Sequence, residues 1–148
     1  YKTPCVIWAN DAAAEAQMVR DRRGINPLDS IQSVVTAPEL TALRQQTAQV
    51  HLSEPIMQYI VALVNATRAH KLLQRGASPR CTLAVAAMAK AHAVLEGRDY
   101  VLPHDVADSF PITAAHRLLL TPEAEAGGSK TLAIASTILR GVPQPAIG

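Results

Sequence analysis

The stretch LLQRGASPRCTLAVAAMAKAHAVLEG, Leu72 to Gly97, decides the fold. It reads as one helix ending at a glycine and a second beginning almost at once. Gly76 is a C-terminal stop. Only Ala77 separates it from Ser78, a capping residue, and Pro79, which suits the first helical position. The helical pattern then runs to Glu96, and Gly97 ends it. Leu83, Ala87, Ala91 and Val94 share one predicted face, with Ala86 and Ala93 beside them. Two long helices joined this tightly predict an αα-hairpin. Arg80 is the exception to this easy pattern. It falls in the first turn, where the helix dipole penalises a cation, and no acid stands near it.

The pattern upstream is helical too. Ser53 caps and Pro55 sits in the first turn of a helix predicted to reach Gly76. Ile56, Ile60, Leu63, Val64 and Thr67 recur at helical spacing on one face. Arg68, His70, Lys71 and Arg75 load its C-terminal half with positive charge, which the dipole favours. Before it, Thr36 caps a helix opening at Ala37-Pro38-Glu39 and running to about Val50. Asn10 or Asp11 caps another through AAAEAQMVRDRR, and Gly24 stops it. INPLDSIQSVV reads as a loop or short turns. The first ten residues, YKTPCVIWAN, show no clear period and stay unassigned.

Downstream, a helix starts at Pro103. Asp105 suits its first turn, although Leu102 is a poor cap. AAHRLLLTPEAEAGGS reads as a helix end, a short extended piece and a flexible acidic loop. KTLAIASTILRG is a last amphipathic helix with Leu132, Ala135, Ile138 and Leu139 as its stripe and Ile134 at the edge. The Pro-containing tail VPQPAIG follows.

The totals agree with an all-α domain. The chain has 148 residues, 49% of them hydrophobic and only 3% aromatic. Alanine and leucine carry the apolar content, and both are strong helix formers. A net charge of +2 is too mild to argue for nucleic acid. Cys5 and Cys81 make no disulfide framework, and Cys81 reads as a buried thiol. No leader of signal-peptide type and no membrane-length apolar run is found, so a cytoplasmic location is expected. The chain starts at Tyr1 without Met, as a piece of a longer protein would.

Chemistry concentrates near Arg80. From Pro55 to Leu95 there is no Asp or Glu, while Arg68, Lys71, Arg75, Arg80, Lys90, His70 and His92 lie in that span. For Lys71 and Lys90 the ordinary reading is a solvated face. For Arg80 the spacing leaves two readings open, a solvated cation or an anion partner. Free N–H groups at a helix start attract anions, and a guanidinium fork would answer a phosphate. Ser78 has no evident base and reads as a cap. His51, His70, His92, His104 and His116 show no metal-ligand spacing, so no metal site is expected. His116-Arg117 reads as a helix-terminal charge pair, and Tyr59 as a packing residue. No phosphate-binding glycine loop and no acidic metal-holding motif occurs, so nothing here holds a nucleotide and Mg²⁺ alone.

Four blocks carry a family resemblance: EPIMQYIVALVNATR, GASPR, AKAHAVLEGRDYVLPHDV and HRLLLTPEAEAG. In this order they resemble the C-terminal helical lid of MoxR-type AAA+ ATPases, over about Asp11 to Pro143. The resemblance implies a helical lid over ATP held, with Mg²⁺, by a preceding α/β core. It gives Arg80 the role of the second sensor, a catalytic residue reaching the γ-phosphate. Ser78 and Pro79 would shape the turn beside the nucleotide. It further implies a ring, usually a hexamer, of chaperone-like ATPases acting on proteins, often with a von Willebrand-type partner. Cys81 stands where a small Ala is usual, and His104 where an acid is common.

The expected organisation is an unassigned leading segment at 1–10, the lid at 11–143 and a tail at 144–148. The parent would be an ATPase, and this chain alone would be inactive. Two other classes compete: a nucleic-acid-binding helical domain using the acid-free hairpin, and a structural interaction module whose alanine-rich faces only pack. The mild charge and the lack of stacking aromatics weigh against the first.

Overall fold

The computed structural model describes residues 12–21 and 31–146. Residues 1–10 and Gly24, to which the sequence reading gave an unassigned segment and a helix stop, lie outside them. Helix α1 spans Ala12–Asp21 and α2 spans Ala37–Gln49. The predicted start of α2 is a reciprocal cap. The Thr36 N–H donates to Glu39 Oε2 at 2.7 Å, and Thr36 Oγ1 accepts from the Glu39 N–H at 3.4 Å. No residue of α2 is buried. Lys90 ties it to the body by donating from Nζ to the Ala48 carbonyl at 3.1 Å. Lys90 therefore links two helices, where the sequence suggested only a solvated cation.

Helix α3, Glu54–Arg68, buries the predicted face of Ile56, Ile60, Leu63, Val64 and Thr67. Tyr59 is buried beside them, as a packing residue. The helix is shorter than its pattern, however. It ends at Arg68, and the Leu73 N–H closes a turn onto the His70 carbonyl. Leu73–Arg75 then form strand β1, antiparallel to β2 at Leu119–Leu120. This pairing puts Leu73 in the core from extended chain, satisfying the same apolar demand as another helical turn. The predicted tight αα-hairpin is thus corrected to two helices joined through a strand. Gly76 is correspondingly not a helix cap. It lies against α3, where an added Cβ would come within 2.6 Å of the Arg68 backbone.

Helix α4, Pro79–Leu95, ends as predicted at Gly97. That glycine has φ +72°, and the following Arg98 N–H reaches back to the Ala93 carbonyl at 2.8 Å. The buried face of α4 differs from the predicted one. Cys81, Ala84, Val85, Ala89 and Ala93 face inward, whereas Leu83 is 67% exposed. Apolar residues surround this helix, so periodicity could not choose a side. Packing against α3 and α5 chose it.

Helix α5, Pro103–Ala114, supplies Val106, Phe110 and Ala114 to the core. A 3₁₀ turn at Ala115–Arg117 leads into β2. The predicted flexible acidic loop contains a short helix, α6, Pro122–Ala126. Thr121 caps it, its Oγ1 accepting from the Ala124 N–H at 3.2 Å. Helix α7, Thr131–Gly141, buries Ile134, Ala135 and Ile138, while Leu132 is exposed and Leu139 packs at the margin. Among the described residues the frame is a helical bundle with one small two-stranded sheet, in line with the expected all-α class. Among the described residues, no helix is long and apolar enough to cross a membrane.

The end of α4 is locked to the start of α5 by a buried carboxylate. Asp105 accepts from Arg98 Nη2 at 2.7 Å and Nη1 at 2.8 Å, and from the Leu102 N–H at 2.7 Å. His92 Nδ1 lies 2.7 Å away. Burial by itself would raise the Asp105 pKa, but the Arg98 fork, the Leu102 N–H and His92 outweigh it and hold it at about 2. A depressed carboxylate stabilises the fold above its unfolded pKa. That contribution is fully present at neutral pH and fades as pH falls from the ordinary aspartate range through about 2. Asp105→Asn should cost about 3 kcal/mol in a urea melt at pH 7, because it leaves Arg98 facing a neutral amide. The difference from the parent should shrink as the melts are repeated toward pH 2.

Candidate functional site: the turn before helix α4

The segment Gly76–Arg80 leaves the strand and enters α4 under tight restraint. Ala77 is buried, and both of its backbone polar groups are held by the last turn of α3. Its N–H donates to Thr67 Oγ1 at 2.8 Å, and the Thr67 hydroxyl in turn donates to the Val64 carbonyl at 2.6 Å. Its carbonyl accepts from Arg68 Nε at 2.8 Å. Arg68 Nη1 also donates to Asn65 Oδ1 at 2.9 Å. Gly76 allows this approach because it has no Cβ to strike the Arg68 backbone.

Ser78 occupies the cap position with extended backbone, φ −80° and ψ 166°, but its hydroxyl makes no cap hydrogen bond. The sequence expected it to cap. The backbone turns the chain instead: the Cys81 N–H donates to the Ser78 carbonyl at 2.8 Å. Pro79 follows with its fixed φ. Arg80 then projects from the first turn of α4 as an exposed side chain. It has no ion-pair or hydrogen-bond partner among the described residues.

The surroundings are cationic. Arg68 and Arg117 are near enough to Cys81 to favour its thiolate, although burial dominates and pushes the thiol up. Cys81 is fully buried, as predicted, and serves packing. Arg117 sits in the 3₁₀ turn with Nη1 against His116 Nε2. The Arg68 guanidinium thus lies against the turn that opens α4, and the Pro55–Leu95 span itself carries no carboxylate.

Two other places were candidates on geometry. The fold brings His92, His104 and Asp105 together, their ligand-type atoms within 4.8 Å of one another. Sequence spacing did not foresee that grouping. Both Asp105 oxygens are engaged by the Arg98 fork, and Arg98 Nη2 lies 3.3 Å from His104 Nε2. A cation there would face a guanidinium, so the cluster is an ion-pair hub. A cavity of about 390 Å³ between the starts of α3 and α5 is lined by His51, Ile56, Tyr100 and Pro145, among others. None of Gly76–Arg80 lines it.

Thr67 and Arg68 are the site residues that sequence reasoning missed. Thr67 looked like one more member of an apolar face, and Arg68 like a charge suited to a helix end. The available signal was a hydroxyl in that stripe, since a buried hydroxyl requires a partner.

The AAA lid domain family profile matches residues 65–137, which contain the whole turn. YeaC of Bacillus subtilis is 35% identical over 120 residues, covering 81% of this chain and 38% of that protein. Chaperone MoxR1 of Mycobacterium tuberculosis is 31% identical over 135 residues, covering 85% of this chain and 36% of that protein. The crystal structure of a candidate ATPase from Cytophaga hutchinsonii superposes with a TM-score of 0.82 at 32% identity, over 95% of this chain and 45% of that one. This chain thus spans under two-fifths of the curated relatives' length.

The restraint at Ala77 predicts a stability pattern. Thr67→Val should lower the unfolding free energy by about 2 kcal/mol, since it strands a buried N–H. Gly76→Ala should cost about as much through overpacking against the α3 backbone. Denaturant melts of the two variants check both, and unchanged midpoints would refute the restraint.

Proposed function

We propose that this chain, which belongs to the AAA lid domain family and is the helical lid of a MoxR-type AAA+ ATPase, senses bound nucleotide through Arg80. The observation that carries the reading is an exposed arginine without a partner among the described residues, in the first turn of a 17-residue helix, on a backbone fixed from both sides. A cation there opposes the helix dipole unless an anion is supplied. A polyphosphate fits such a place, because the guanidinium fork and the helix start both favour negative charge.

In the proposed mechanism the α/β core holds ATP with its Mg²⁺. Arg80 reaches the γ-phosphate from the lid side and supports charge that develops during phosphoryl transfer. Ser78 and Pro79 shape the turn that presents it, the first through its extended cap backbone and the second through its fixed φ. Arg80 contacts the triphosphate state better than the diphosphate state, so the lid closes on one and relaxes on the other. The lid alone does not hydrolyse ATP, having no phosphate loop and no metal-holding acids. The family further suggests a cytoplasmic, hexameric, chaperone-like enzyme that remodels proteins with a von Willebrand-type partner. A pairing with the core and with neighbouring ring subunits belongs to the same reading.

In the intact ATPase, Arg80→Ala should lower ATP turnover roughly 100-fold, the scale for losing one charge-stabilising donor. The lid's melting temperature should hardly move, since Arg80 is exposed and has no ion pair or hydrogen bond among the described residues. Unchanged turnover in a folded variant would sink the sensor role.

A further inference from the structure

Resting on that reading, we infer that Arg68 is a positioning residue for Arg80, coupling the end of α3 to the nucleotide-facing arginine. An arginine at a helix C-terminus ordinarily serves its own last carbonyls. Arg68 instead sends Nε across to the Ala77 carbonyl at 2.8 Å, nine residues on, and steadies its fork on Asn65 Oδ1 at 2.9 Å. Thr67 Oγ1 holds the other backbone polar group of Ala77, accepting from its N–H at 2.8 Å.

From Ala77 to Arg80 little freedom remains. Gly76 is pressed to the α3 backbone, Ala77 is gripped on both sides, Ser78 is extended and Pro79 has a fixed φ. The direction in which Arg80 leaves the lid is therefore set from α3 through Arg68 and Thr67. Thr67 is buried and its loss perturbs the fold. Arg68 is exposed, so its hold on Ala77 can be removed with the core intact. Preorganisation of this kind acts on binding geometry, because a reaching side chain works only from a fixed base.

The test is a double-mutant cycle in the intact ATPase, with dissociation constants for a nonhydrolysable ATP analogue and for ADP as the readout. Arg68→Met keeps the apolar stem and removes both donors. It should cut the preference for the ATP analogue about tenfold, the effect of losing roughly one hydrogen bond's worth of positioning. On the Arg80→Ala background the same substitution should change nothing, since it acts only through Arg80. Arg68→Leu, which likewise carries no donor, is read in the same way if the Met variant folds poorly. An equal loss in both backgrounds would overturn the inference, showing a structural or independent role. An unaltered preference in both backgrounds, with Arg80→Ala itself still damaging, would overturn it and leave the sensor reading standing. If Arg80→Ala leaves the preference unaltered, the sensor reading fails and takes this inference with it.

Discussion

Ala77 is the residue on which the arrangement turns. Its N–H and carbonyl are taken by Thr67 and Arg68, consecutive side chains of α3. A buried peptide in an irregular segment must find partners outside a ladder. Here the partners come from the neighbouring helix, and satisfying them fixes where α4 begins. The position of Arg80 in space follows from that start. The cost of placing a cation against the dipole is then a local matter, one that an anion bound there would offset.

The second constraint lies at the other end of α4. Asp105 is fully buried and holds Arg98, the Leu102 N–H and His92 at once. The α4 axis is thereby pinned at both ends, by Ala77 at its start and Asp105 beyond its finish. Between them small side chains bring it close to its neighbours: Ala84, Ala89 and Ala93 are all buried. A helix fixed in this way transmits displacement as a body, because packed cores do not deform smoothly.

Much of this was legible in the sequence. The starts of α2, α3, α4 and α5 were readable because Pro and capping residues signal them locally. The α3 face was readable because its period had polar residues opposite it. The inward face of α4 was not, since alanines and other apolar residues lie all round it. The strand at Leu73–Arg75 was hidden because a run of Leu72, Leu73 and cations suits a helix end equally well. Its partner, Leu119–Leu120, stands far along the chain. The same holds for the candidate site. Gly-Ala-Ser-Pro-Arg drew attention to the turn and to Arg80 as a candidate, but the grip on Ala77 depends on contacts nine and ten residues back, which no local signal announces.

A structure of the intact ATPase with a nonhydrolysable ATP analogue tests the account most directly. It should place an Arg80 guanidinium nitrogen about 3 Å from a γ-phosphate oxygen, at hydrogen-bond distance. A closed lid in which Arg80 faces solvent, with the γ-phosphate held by the core alone, would contradict it.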